Sequence, residues 1–176
     1  VRLNIGLTEE FFTIKCFKMT FISEEIIDDI LEQLESTPDA YEAAMQEMEL
    51  AQPILTAYFQ SDNFDLFTAE ERDYLQYIAL IIWRSFTQVN KNQAIINEEQ
   101  ISEAEDLNWA RLENVQSIIF RERAGIFFEN YPQEDLLAFV EDALLDDEED
   151  ALVTKEGREA LFITLKTVID LLNSPD

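Results

Sequence analysis

Carboxylates are the only reactive groups this chain holds in quantity: 38 Asp and Glu stand against 12 Lys and Arg, with no histidine and a single cysteine. Two carboxylates can act together as acid and base, as in glycosidases, but with so many present some will be neighbours by chance. Most are expected to be solvated helix faces. The missing histidine removes the usual general base near neutral pH and with it Ser-His-Asp and Cys-His sites. It also removes the Glu-x-x-His pairs of di-iron bundles and the His-Glu-x-x-His helix of zinc proteases. Cys16 alone can build no structural zinc site. No base is available to make its thiol a nucleophile, although Lys15 and Lys18 lie near it in sequence. Gly6, Gly125 and Gly157 stand apart from one another, so neither a P-loop nor a Gly-x-Gly-x-x-Gly turn can receive a nucleotide. The expectation is a protein without catalytic, cofactor-binding or metal-ligating residues, in which carboxylate-only chemistry alone stays open.

Two local patterns stand out against this background. Asp146-Asp-Glu-Glu-Asp150 offers the oxygen ligands that Ca²⁺ and Mg²⁺ prefer, but it lacks the alternation of ligands and the sixth-position Gly of an EF-hand. It reads more simply as a solvated linker. Arg121 and Arg123 lie in Phe120-Arg-Glu-Arg-Ala-Gly-Ile-Phe-Phe128, where scarce cations meet a run of aromatics. With Phe127 and Phe128 they form the candidate partner-binding site, since Arg and aromatic residues are enriched at binding hot spots. The competing reading pairs both arginines with surrounding acids and sends the aromatics to the core.

The formal charge of -26 predicts a negative potential over most of the surface, which repels nucleic-acid backbones and anionic membranes and attracts a basic protein, peptide or cation. The longest uninterrupted apolar run, Tyr77 to Trp83, is far shorter than the roughly 20 residues of a membrane span. With one cysteine no intramolecular disulfide can form, and a cytoplasmic location is the expectation.

The elements that must position these residues are helical. Three Gly and four Pro leave too few turn residues for many short strands, while 47% hydrophobic residues, thirteen Phe among them, supply a core. Ser23 precedes a stripe of Ile26, Ile27, Ile30, Leu31 and Leu34 at helical spacing. Thr37-Pro38-Asp39 launches a second helix toward Tyr58 that Pro53 should kink or break. Thr68-Ala-Glu-Glu71 has the capping-box form and opens a third, whose middle is apolar all round and therefore central. A fourth helix, capped by Asn97 or Ser102, carries Leu107, Trp109, Leu112, Val115, Ile118 and Ile119; it ends at Gly125 or continues toward Tyr131. A fifth follows Pro132, and a sixth, capped by Thr154, carries Leu161 to Leu172.

These patterns predict an all-α fold: a compact bundle of five to seven helices around a central buried helix at about residues 69–90. Residues 1–22 form an N-terminal arm, or an extension upstream of a natural start at Met19, and residues 23–176 a single helical domain. The function expected is non-enzymatic binding of another protein, a basic one, through an acidic helical surface, with no nucleic-acid or membrane partner. The alternative is a small-molecule or cation-binding domain with a pocket between helices lined by Trp83, Trp109 and Phe127.

Overall fold

A computed structural model describes residues 21–145 and 152–174. Residues 1–20 of the N-terminal arm, with Cys16, and the acidic run 146–150 lie outside the described residues, whereas Ile22 at the end of the arm is buried in the core and its N–H donates to Gln133 Oε1 (2.9 Å). Eight α-helices follow one another: α1 (Glu24–Glu35), α2 (Ala40–Ala51), α3 (Pro53–Phe59), α4 (Ala69–Val89), α5 (Glu98–Glu113), α6 (Phe120–Ala124), α7 (Glu134–Leu144) and α8 (Arg158–Asn173). No strand occurs among the described residues.

The fold is all-α as the pattern predicts, with more helices than expected for two local reasons. Pro53 has no N–H to extend α2, so Gln52 leaves the helical region and Pro53 becomes the first residue of α3. The expected long fourth helix stops at Glu113, and residues 115–119 are non-helical before α6 begins. There the Arg123 guanidinium donates to the carbonyls of Val115 (2.8 Å) and Ser117 (3.2 Å), occupying acceptors that a continuing helix would have used internally. The expectation that this helix carries Val115, Ile118 and Ile119 is thereby corrected; Ile118 is 97% exposed.

Helix α4 is central, as its all-round apolar middle requires: Ile78 to Trp83 are buried without interruption. Its start is fixed by the capping box, in which Thr68 Oγ1 accepts from the Glu71 N–H (3.1 Å) and Glu71 Oε2 from the Thr68 N–H (2.9 Å). A second helix is equally enclosed. In α8 every residue from Leu161 to Ile169 is buried, Thr164, Lys166 and Thr167 included, because α4, α5, α6 and α7 all pack on it. All eight helices contribute to one hydrophobic cluster.

Glu71 links the two central helices. Its carboxylate is 2% exposed and also accepts from the Thr154 N–H (2.9 Å) and hydroxyl (2.6 Å), while Thr154 Oγ1 accepts from the Gly157 N–H that precedes α8. Burial raises the Glu71 pKa, but these hydrogen bonds outweigh it and hold the carboxyl below its usual range. A Cβ at Gly157 would lie 2.3 Å from Glu71 Oε1, so only glycine fits there without displacing this carboxylate. Thr154 thus caps the turn before α8, and α8 itself begins at Arg158.

Candidate functional site

The Arg121–Phe128 segment is drawn largely into the fold. Arg123 makes a two-pronged ion pair with Glu159 on α8 and spans the carbonyls of 115 and 117. Phe127 is fully buried and packs against Phe162, with ring centroids 5.7 Å apart. Phe128 is half-buried against the core. Arg121 stays at the surface, loosely paired with Glu141 (3.9 Å) and Asp142 (3.5 Å). Beside the Arg123–Glu159 pair a hollow of about 260 Å³ is bordered by Ile118, Phe120, Lys155 and Arg158. The four residues therefore do not converge on one surface. Trp83 and Phe127, expected to line an interhelical pocket, lie in the core, and Trp109 is partly buried against it.

Two polar constellations emerge that the sequence pattern does not announce. The first surrounds Lys166, a buried cation in the middle of α8. Its Nζ donates to Asp170 Oδ2 (2.5 Å) one turn on and lies over the rings of Phe127 (5.3 Å) and Tyr131 (4.8 Å). Asp170 also accepts from the Tyr131 hydroxyl (2.8 Å) and from Asn108 Nδ2 (3.0 Å), which reaches Thr167 Oγ1 as well. Burial lowers the Lys166 pKa, an effect opposed by Asp170 and reinforced by Arg111. A lysine with a lowered pKa is the raw material of amine nucleophiles, but this one is already matched by a carboxylate and walled by two rings. The Tyr131 phenol is pushed well above its usual range by burial first and then by Asp170, so it remains a donor.

The second constellation is open. Between α3 and α5 runs a groove of about 320 Å³ whose lining includes Ile54, Ala57, Tyr58, Ser61, Ile101 and Glu105. Its geometry follows from Gln52, buried completely at the α2–α3 break. Gln52 Nε2 donates to the Ala94 carbonyl (2.7 Å) and its Oε1 accepts from the Ile96 N–H (3.0 Å), anchoring the α4–α5 connection. Asn97 follows at once and caps α5 reciprocally with Gln100. The first turns of α5 are thereby registered against α3, and Glu98, Ile101, Ser102 and Glu105, at i, i+3, i+4 and i+7, face the groove together.

On the facing side Tyr58 is held by aromatic contacts, edge-on to Phe64 (5.0 Å, 82°) and tilted against Phe59 (5.8 Å). Tyr58 Oη and Ser61 Oγ are shielded from solvent and complete no hydrogen bond of good geometry among the described residues, although Glu105 and Thr164 stand close enough to Tyr58 Oη to interact with it. Buried polar groups in folded proteins are normally paired, so two such hydroxyls on one groove are unusual. Burial, and next the charge of the neighbouring Glu105, raise the Tyr58 pKa far beyond its ordinary value, which keeps the hydroxyl intact at any physiological pH. Glu98 and Glu105 make no ion pair among the described residues.

No group of three or more His, Cys, Asp or Glu arranged to hold a metal ion occurs among the described residues, and no helix there is long and apolar enough to cross a membrane. Comparison with known proteins gives no family model, no curated relative and no solved structure that matches. The functional reading rests on the molecule's own chemistry.

Proposed function

We propose that this protein acts without catalysis, by binding a basic protein or peptide on its acidic helical surface. The observation that carries the reading is how the fold disposes of its few cations. Arg72, Arg84, Arg121, Arg123 and Lys166 are engaged by carboxylates, and Arg111 is taken up by the Ile126 carbonyl and the Phe127 ring. Internal pairing therefore neutralises a small share of 38 acids, and the surplus faces outward from α1, α2 and α5, where Glu24, Glu42, Glu49, Glu98 and Glu103 are exposed. A field of one sign steers an oppositely charged partner and raises its association rate.

The test is retention of partners from a cell lysate on immobilised protein at low and high salt, followed by titration of each purified partner. A basic partner binding at defined stoichiometry, with affinity that falls as salt rises, supports the reading. Retention of nothing at low salt overturns it. The α3/α5 groove favours a second reading, a small cationic ligand, because its volume lies at the lower end of the roughly 300–1,000 Å³ typical of small-molecule sites.

A further inference from the structure

We propose that the tip of the molecule around the α2–α3 break is the face on which two copies of this chain associate. The tip is built from two stretches without an acid, 50–61 and 74–97, in a chain that averages about one acid in every five residues. Burial accounts for the absence through most of α3 and α4. It does not account for Leu50, Ala51, Pro53, Ala94 and Ile95, which are exposed, or for the exposed Asn90, Lys91 and Asn92. Gln52 joins the two stretches, its buried amide holding the Ala94 carbonyl and the Ile96 N–H at once. Because this clamp accompanies an Ile96 turned inward, 4% exposed, the next residue back, Ile95, is turned out and is 60% exposed; Leu50 at the end of α2 is 85% exposed. Apolar side chains presented by a backbone already fixed lose little freedom on association.

Charge selects the occupant. A basic partner is drawn to the acidic faces and gains nothing at a tip that holds one lysine and no acid. A second copy, itself at -26, is repelled by those faces and meets least repulsion here. The rim is also self-complementary. Lys91 makes no ion pair among the described residues, and the exposed Glu49 and Glu98 border the two acid-free stretches. In a two-fold interface each contact forms twice, so Lys91 of either copy can meet Glu49 of the other. Five apolar residues with a polar rim fall short of the roughly 20–30 residues a side of a standard interface, so the association is weak and reversible. Its salt dependence has a definite sign: screening weakens the repulsion between copies, so the dimer tightens as salt rises, whereas a basic partner is released.

The experiment is sedimentation equilibrium of the full chain, from micromolar concentrations to about 1 mM, at low and high salt. The average mass should climb from 20.5 kDa toward double that value, and more steeply at high salt. Ile95→Asp and Leu50→Asp should each weaken association about tenfold or more, since each sets a carboxylate against its counterpart in the other copy. Leu66→Asp is the control: Leu66 is 98% exposed, precedes the opposite end of α4, and its replacement should change association less than about twofold. Lys91→Glu should weaken it several-fold more than Lys155→Glu, which makes the same change of net charge at an exposed lysine elsewhere. Amide shifts of the unaltered chain should depend on concentration chiefly at 50–53 and 90–96, a readout that needs no variant. A chain that stays monomeric throughout overturns the proposal and leaves the reading of a basic partner standing. Association that weakens with salt, or that the control variants reduce as much as those at the tip, overturns it as well.

Discussion

The Lys166 knot on α8 and the α3/α5 groove use the same vocabulary, a tyrosine hydroxyl, a carboxylate and apolar walls, and arrive at opposite conditions. In the knot the polar groups match one another: Asp170 accepts hydrogen bonds from Lys166, Tyr131 and Asn108. In the groove Tyr58 and Ser61 are shielded without a hydrogen bond of good geometry, Glu105 and Thr164 only approach the phenol, and Glu105 has no ion pair among the described residues. A closed network contributes to stability and specifies one packing, whereas an incompletely paired one costs stability. The difference separates structure from function better than residue rarity does. Arg123 is rare and conspicuous in an acidic chain, yet it joins α6 to α8.

The knot can be broken most severely from the carboxylate side. Asp170→Ala would leave Lys166 as an unpaired buried charge and strip Tyr131 and Asn108 of their acceptor. A loss of about 3–5 kcal/mol in urea unfolding is expected, the range for breaking a buried pair. An effect below about 1 kcal/mol would show that the network is not closed as described.

Next in size is Gln52→Leu, which leaves the Ala94 carbonyl and Ile96 N–H without their partner at a cost of about 1–3 kcal/mol each way it is counted. Its second signature is local. Hydrogen exchange should accelerate at Ile96 and through the first turn of α5. Unchanged exchange there would mean that Gln52 does not register the groove.

The tyrosine pair sharpens the contrast directly. Tyr131→Phe removes a hydrogen bond to a charged group and should cost about 1.5–3 kcal/mol. Both phenols also set the alkaline limit. They stay protonated in the fold above pH 10, where an unfolded tyrosine of pKa 10.0 ionises, so the unfolded state gains as pH rises past that value. Lys166, with its pKa lowered from 10.5, acts in the opposite sense below that pH, but one lysine is outweighed by two phenols, so the net decline should set in near pH 10. Melting between pH 8 and 12 checks this, and the decline should be shallower in Tyr131→Phe.

The smallest expected effect is the most discriminating. Tyr58→Phe deletes a shielded hydroxyl that completes no hydrogen bond of good geometry among the described residues, so stability should change by less than about 0.5 kcal/mol or rise. A loss comparable to that of Tyr131→Phe would show that the groove hydroxyl is structurally employed.

Much of the framework was legible from local pattern. The stripe Ile27, Ile30, Leu34 gave α1, the Thr68–Glu71 box gave the start of α4, and the apolar circumference of Ile78–Trp83 put that helix at the centre. The end of α5 was not legible, because Val115, Ile118 and Ile119 continue a helical spacing that only Arg123, eight residues beyond Val115, interrupts. The candidate residues Arg121, Arg123, Phe127 and Phe128 were chosen by type, and the fold distributes them between a joint, the core and the surface. The groove gave no sequence signal: a Tyr and a Ser three residues apart, with a Glu more than forty residues beyond them, are ordinary until two helices face each other.

Composition and spacing alone determined that the chain is helical and acidic, without histidine-dependent chemistry, and built around residues 69–90. Those properties depend on residue counts and on contacts within a few turns. Tertiary structure decided which polar groups find partners, that α8 is as buried as α4, and that Lys166 lies inside while Glu105 faces a groove. Whether a buried donor or acceptor is matched depends on distances between chain segments far apart in sequence, and those distances are fixed only when the helices pack.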